Sequence, residues 1–393
     1  MTRIKKALFY MIVVGIGVFV YINYKYAPQS NAKDVEGISD LIIDPRPVKR
    51  ECVIEDTISY LYYTNPDESD IKNNKVGIYI YAEEERFITL ADQLVNSNGG
   101  DWGYVLIPYN VKDRDNSRWN RVFGQLRSKH LIPVIQLHDV NLDNYKEQTE
   151  EAAEFLNSFI WPTRKRYISV YNEPNDAKFW YNRVDPAEYA RILNYTVTTF
   201  KKENTDFFVM NGALNVSAPT HADGTYLEAF EYMRRMEAEI PGIFSRLDGW
   251  ASHPYPMPNF SGSTDASGRW SIQAYDDELR FLEEEFGVKD IPVFITETGW
   301  AHAEGTIYNS SYLPVDKVAE NFIYAYENVW LKDDRVVAVM PFTIRYNAPY
   351  DHFSWIDDRN MPYAHFIAVK SLKKVAGTPA HLAEKVTKIE ECN

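Results

Sequence analysis

The sequence predicts an α/β fold, a single (β/α)8 barrel, and three observations carry that expectation. Eight short β-branched or aromatic runs are spread along the 393 residues, and helical patterns alternate with them. No glycine-rich phosphate turn follows the first run, which ends in Tyr81-Ala82-Glu83-Glu84. A doubly wound sheet would usually carry a G-x-G-x-x-G turn there, and it rarely holds eight such even units.

The chain opens with Arg3, Lys5 and Lys6 ahead of an uncharged run from Ala7 to Ile22, extended by Asn23 and Tyr24. A helix of that length spans about 27 Å at 1.5 Å per residue, close to the roughly 30 Å hydrocarbon core of a bilayer. Residues 1–25 are therefore expected to form a membrane anchor. Cleavage at the small-x-small site Ser30-Asn31-Ala32 is the alternative, and it would give a secreted protein. In both cases the basic end stays cytoplasmic and the remainder is extracytoplasmic. Residues 26–74, with Pro28, Pro45 and Pro47, read as a linker and lead-in, and 75–393 as the barrel domain.

The candidate strands are Val76–Tyr81, Tyr104–Pro108, Ile132–Leu137, Tyr167–Tyr171, Phe207–Asn211, Gly249–Ser252, Val293–Thr296 and Val336–Phe342. Helical stretches between them include Glu85–Asn96, Asn144–Phe159, Pro186–Lys201, Tyr226–Ala238, Ala274–Phe286 and Val315–Trp330, with a last helix at Tyr363–Lys374. The loop from Pro254 to Gly268 is rich in Pro, Gly and Ser and reads as a flap or a solvated connection. The two cysteines, Cys52 and Cys392, bracket the folded region, and an exported location would permit a disulfide between them.

Composition narrows the partners. With 56 acidic against 42 basic residues the formal charge is -14, which opposes nucleic-acid binding and suits neutral ligands such as glycans. The 15% aromatic share fits sugar stacking and core packing alike. No H-E-x-x-H or paired-cysteine pattern occurs, so neither a metal nor any other cofactor is expected.

In such a barrel the site forms at the C-terminal ends of the strands. Standing there are Glu83 and Glu84, Tyr109 and Asn110, His138 and Asp139, Asn172 and Glu173, Asn215, His253 and Tyr255, Glu297 and Trp300, and Arg345 and Tyr346. Two segments stand out, Tyr171-Asn172-Glu173-Pro174-Asn175 after strand four and Ile295-Thr296-Glu297-Thr298-Gly299-Trp300 after strand seven. An isolated N-E-P reads equally well as a surface carboxylate opening a helix. Two glutamates ending strands four and seven, with His253 and Tyr255 between them, are what glycosidic cleavage needs: one acid to protonate the leaving oxygen and one carboxylate to attack carbon or activate water.

With N-E-P after strand four, S-H-P-Y-P after six and T-E-T-G-W after seven, the chain resembles clan A of the retaining glycoside hydrolases, cellulase-like and β-xylosidase-like, over roughly Val76 to Lys374. The resemblance implies Glu173 as general acid/base, Glu297 as nucleophile and Asn172 as the partner of the substrate 2-hydroxyl, with His253 and Tyr255 holding the neighbourhood of Glu297. Different protonation states for two carboxyls further imply one environment that lowers a pKa, at Glu297, and another that raises one. The chain departs from the clan pattern at strand two, where Ile107-Pro108-Tyr109-Asn110 offers no arginine. It departs again at strand eight, where Phe342-Thr343-Ile344-Arg345 offers no tryptophan. Trp355 is a substitute for the latter, and Trp300 and Trp355 are candidate sugar platforms, with His138 and Asp139 as further substrate contacts. The expected activity is hydrolysis of a β-linked oligo- or polysaccharide by double displacement. Transglycosylation by the same carboxylates and a non-catalytic, membrane-tethered carbohydrate-binding barrel remain as alternatives.

Overall fold

A computed structural model describes residues 53–63 and 72–391. The expected anchor over 1–25 and both cysteines lie outside the described residues. No helix among the described residues is long and apolar enough to cross a membrane. The chain divides into two compact units, residues 1–55 with 389–393 and residues 56–388. Within the first, only 53–55 and 389–391 are described, as strand ends; the barrel belongs to the second.

Eight barrel strands run Gly77–Tyr79, Gly103–Asn110, Leu131–His138, Arg166–Val170, Phe207–Asn211, Trp250–Ser252, Val293–Ile295 and Val336–Val339. The first five pair in sequence order in one parallel sheet and the last three in another. Parallel bridges from Met210 to Gly249 and from Val76 to Val339 join the two sheets at both edges and close the ring. The pleat then sorts the side chains. Tyr104, Leu106, Ile132, Val134, Tyr167, Met210, Phe294 and Met340 point inward and fill the barrel as one cluster. Val105, Ile107, Ile135, Ile168, Val209 and Ile295 point outward into the layer beneath the helices.

The helices are Glu85–Val95, Asn116–Ser128, Tyr145–Asn157, Pro186–Glu203, Ala229–Glu239, Ala274–Phe286, Val315–Ala325 and Ala364–Ser371. Their ends follow local chemistry. Pro186 opens its helix behind Asp185, whose side chain accepts from the Glu188 amide, and Lys201 and Lys202 sit in the last turn. Gly287 closes the Ala274–Phe286 helix in the left-handed conformation at φ 71°.

Three elements differ from expectation. Asn116–Ser128, absent from the sequence reading, starts at Asp115, which caps the Arg118 amide. Tyr226 is not helical, because Glu228 caps the next helix at the Glu231 amide and leaves Tyr226 in the loop. Inside the expected linker, Val53–Tyr63 is a strand, and it pairs with His381–Glu391, beyond the last helix, in a two-stranded sheet.

Candidate active site

Strand four ends in backbone turned sharply toward the barrel mouth. Tyr171 and Glu173 both take positive φ, at 72° and 38°, a conformation that side chains disfavour and that surrounding contacts must hold. The Glu173 amide donates to the Ala213 carbonyl at 3.0 Å. Gly212 permits the close approach, since a Cβ there would stand 2.5 Å from the Val170 carbonyl oxygen. Asn175, fully buried, clamps the loops after strands four and five. Its amide donates to the carbonyls of Asn215 (2.9 Å) and Leu227 (3.0 Å), and its oxygen accepts from the Asn215 amide.

Strands six and seven bring the partners. His253 Nδ1 lies 2.9 Å from Glu173 Oε1 and 3.8 Å from Glu297 Oε2. The Tyr255 hydroxyl donates to Glu297 Oε2 at 3.0 Å. One donor atom each of Glu173, His253 and Glu297 lie within 4.8 Å of one another. The His253 nitrogen facing the acids is engaged by Glu173 and Glu297 stands at ion-pair distance from it, so the trio is an acid–base group rather than a free set of ligands. It sits at the floor of a cavity of about 590 Å³, lined by residues from the ends of all eight strands. That volume is in the range of small-molecule sites.

The electrostatics reverse one expectation. Burial pushes the Glu297 carboxyl up, to about 7; His253 pulls against this, the charge of Glu173 adds to it, and the Tyr255 hydroxyl draws it down. The environment of Glu297 in the free pocket thus raises its pKa instead of lowering it. With no arginine from strand two, His253 is the one cationic group within ion-pair distance of Glu297 among the described residues. Burial works against the charged His253 ring, but Glu297 and then Glu173 outweigh it, and the imidazole pKa is raised. Behind the ring, fully buried Glu278 accepts a hydrogen bond from the Ser252 hydroxyl, and burial raises its carboxyl to about 7.

The other expected residues divide. Asn172 lines the cavity, its oxygen taken by Gln136 Nε2 at 3.1 Å, which leaves the amide hydrogens for a ligand. His138 lines it too, 3.1 Å from Asp139, whose carboxylate also accepts from Asn110. Asp139 itself is not on the wall and reaches it only through its contact with His138. Trp300 and Trp355 are not platforms. Each is 1% exposed and packed against Phe322, and the Trp300 indole donates to the Gly262 carbonyl. Phe342 occupies the wall where Trp355 was expected to serve. Tyr109 also turns away, stacked edge-on against Trp119, and leaves Pro108 on the wall.

Sequence reasoning missed a third wall carboxyl, Asp176, three residues beyond Glu173 and bridged to Tyr226, with its pKa raised by burial. It also missed Gln136 and most of the aromatic wall, Tyr79, Tyr81, Phe260, Phe342, Tyr350 and Phe353, although it placed Tyr346 on the rim. Only their proximity to strand ends could have signalled them.

No protein-family model matches this sequence, and no curated protein does. Solved structures do share the fold. A GH39 β-xylosidase from Caulobacter crescentus aligns over 81% of this chain and 74% of its own at 14% identity, TM-score 0.50. A GH128 (subgroup II) endo-β-1,3-glucanase from Sorangium cellulosum aligns over 76% and 98% at 15% identity, TM-score 0.50. A glucosidase from Croceicoccus marinus aligns over 80% and 69% at 12% identity, TM-score 0.51. At these identities the likeness is one of fold.

Proposed function

We propose that this chain is a retaining glycosidase that cleaves β-linked oligo- or polysaccharide by double displacement, with Glu173 as acid/base and Glu297 as nucleophile. The observation that carries the reading is the placement of these two carboxyls within 4.8 Å of each other, joined through His253 on a cavity floor. Retaining enzymes set their carboxyls about 5–5.5 Å apart, whereas inverting ones leave roughly 6.5–9.5 Å for a water. The fold alone would not carry this, since barrels host many chemistries. The three solved relatives named above, by their titles a β-xylosidase, an endo-β-1,3-glucanase and a glucosidase, are compatible with it.

In the first step Glu297 attacks the anomeric carbon while Glu173 gives its proton to the departing glycosidic oxygen. In the second, Glu173 takes a proton from an incoming water, which displaces Glu297 and restores both groups. Tyr255 and His253 hold Glu297 and Glu173 to one geometry, so no orientation has to be found during attack. Asn172, pinned by Gln136, presents its amide to a sugar hydroxyl, and the aromatic wall offers ring faces to the apolar side of a pyranose. A sugar hydroxyl in place of water would give transglycosylation by the same groups.

Paired substitution tests the roles. Glu297→Gln should abolish turnover of every responsive glycan. Glu173→Ala should lower kcat/KM on natural glycosides by about 10²–10⁴-fold, and much less on substrates with excellent leaving groups. Full activity in both variants would remove the assignment.

A further inference from the structure

We propose that Lys178 and Tyr350 form a bridge over the catalytic cavity that restricts it to chain ends and short oligosaccharides; this rests on the glycosidase reading above. Lys178 comes from the loop after strand four and Tyr350 from the loop after strand eight. Those strands stand opposite each other in the ring, so a contact between them crosses the mouth. The Lys178 ammonium touches the Tyr350 hydroxyl and lies 4.6 Å from the centre of its ring. The ammonium therefore sits at the hydroxyl end of the ring, and the hydroxyl is the group it holds. Among the described residues no carboxylate lies within ion-pair distance of Lys178; its other near neighbour is the Phe179 ring, 5.2 Å away.

Both footings are fixed. The Lys178 amide donates to Asp176 Oδ1 at 2.9 Å, and the amides of Phe179 and Trp180 donate to the Asp176 carbonyl. Asp176 and Trp180 are buried, which anchors the turn to the barrel rather than to solvent. On the other side, the Phe353 amide donates to the Tyr350 carbonyl, and His352 Nδ1 lies 2.9 Å from the carbonyl of buried His302.

The geometric consequence concerns substrate length. An internal stretch of a polymer reaches its catalytic acids by lying down in an open groove. Here the pair spans the mouth, with cavity wall from Tyr81, Pro108 and His138 on one side of it and from Asn215, Tyr255 and Met257 on the other. A chain end or a short oligosaccharide can thread beneath the pair; an internal segment cannot enter unless the pair separates. On the first side, beyond Pro108 and His138, a second polar cavity of about 350 Å³ continues the path and would hold a sugar unit further along the chain.

The test compares β-1,3-glucan and xylan with the tetrasaccharides of the same linkages, in the wild type, Lys178→Ala and Tyr350→Phe. Tyr350→Phe removes only the hydroxyl that the ammonium touches and guards against a loop that merely misfolds. The wild type should favour tetrasaccharide and release small products while polymer viscosity falls slowly. Lys178→Ala should raise the polymer-to-tetrasaccharide ratio of kcat/KM by about tenfold, with a rapid fall in viscosity, and Tyr350→Phe, which removes the same contact, should do likewise. Equilibrium binding of the same four glycans to Glu297→Gln, with and without Lys178→Ala, reads the same preference without turnover. A bridge-dependent binding preference without any cleavage by the wild type would retain the bridge and remove the glycosidase reading. Cleavage with a ratio and product pattern unchanged by Lys178→Ala would remove the bridge and leave that reading standing. Absence of both binding and cleavage would overturn the bridge as well.

Discussion

Glu297 has to be ionised to attack, and burial holds its carboxyl up at about 7 in the free site. The acidic limb of kcat/KM, which reports the free enzyme, is therefore expected near pH 7, with activity falling about tenfold per unit below it. The Tyr255 hydroxyl favours the charged form, so Tyr255→Phe should move that limb to higher pH; a limb that stays put or moves down would refute the assignment. Glu278 provides a stability test. Its folded pKa is raised above the unfolded value, so its contribution is fully present below about pH 4.5 and is lost as pH rises through about 7. Glu278→Gln keeps a partner for Ser252 without the charge. Relative to wild type, its Tm should improve between pH 6 and pH 8, and a difference independent of pH would show that Glu278 does not titrate there. Both glutamates of the proposed catalytic pair were legible in the sequence because each ends an apolar strand. The direction of the Glu297 shift was not, because it depends on complete burial and on what replaces the strand-two arginine.

At the scale of elements, the site depends on the junction of strands four and five. Glu173 keeps its positive φ because its amide is tied to Ala213, and Gly212 allows the two backbones to approach. Gly212→Ala would set a Cβ against the Val170 and Tyr171 carbonyls, which are backbone and cannot yield locally. It should destabilise the fold by about 1–3 kcal/mol and lower kcat more than that loss of folded protein explains. Wild-type kcat per folded molecule would show that the junction does not position Glu173. The eight strands were readable because alternating β-branched and aromatic runs mark them directly. Loop contents were not: Trp300 and Trp355 follow strands, as platform residues would, yet tertiary packing against Phe322 buries them. Asp176 and Tyr226 meet across 50 residues, a contact no local pattern encodes.

For the molecule as a whole, one closed ring of parallel strands makes eight loops converge, and two of them supply carboxyls within 4.8 Å of each other. The acidic balance of the chain agrees with a ligand that is not a polyanion. Fold class was legible because alternation is a property of the whole chain, whereas the strand at Val53–Tyr63, β-branched and aromatic itself, stands outside the eight alternating units and was read as part of the linker. The proposed double displacement predicts one stereochemical outcome, and that outcome is the most direct check on the roles proposed for Glu173 and Glu297. Proton NMR of the first-formed sugar from a β-glycan or aryl β-glycoside, followed before mutarotation, gives it directly. Double displacement through Glu297 predicts the β anomer; an α anomer as first product, or no turnover across a panel of β-glycosides, would contradict it.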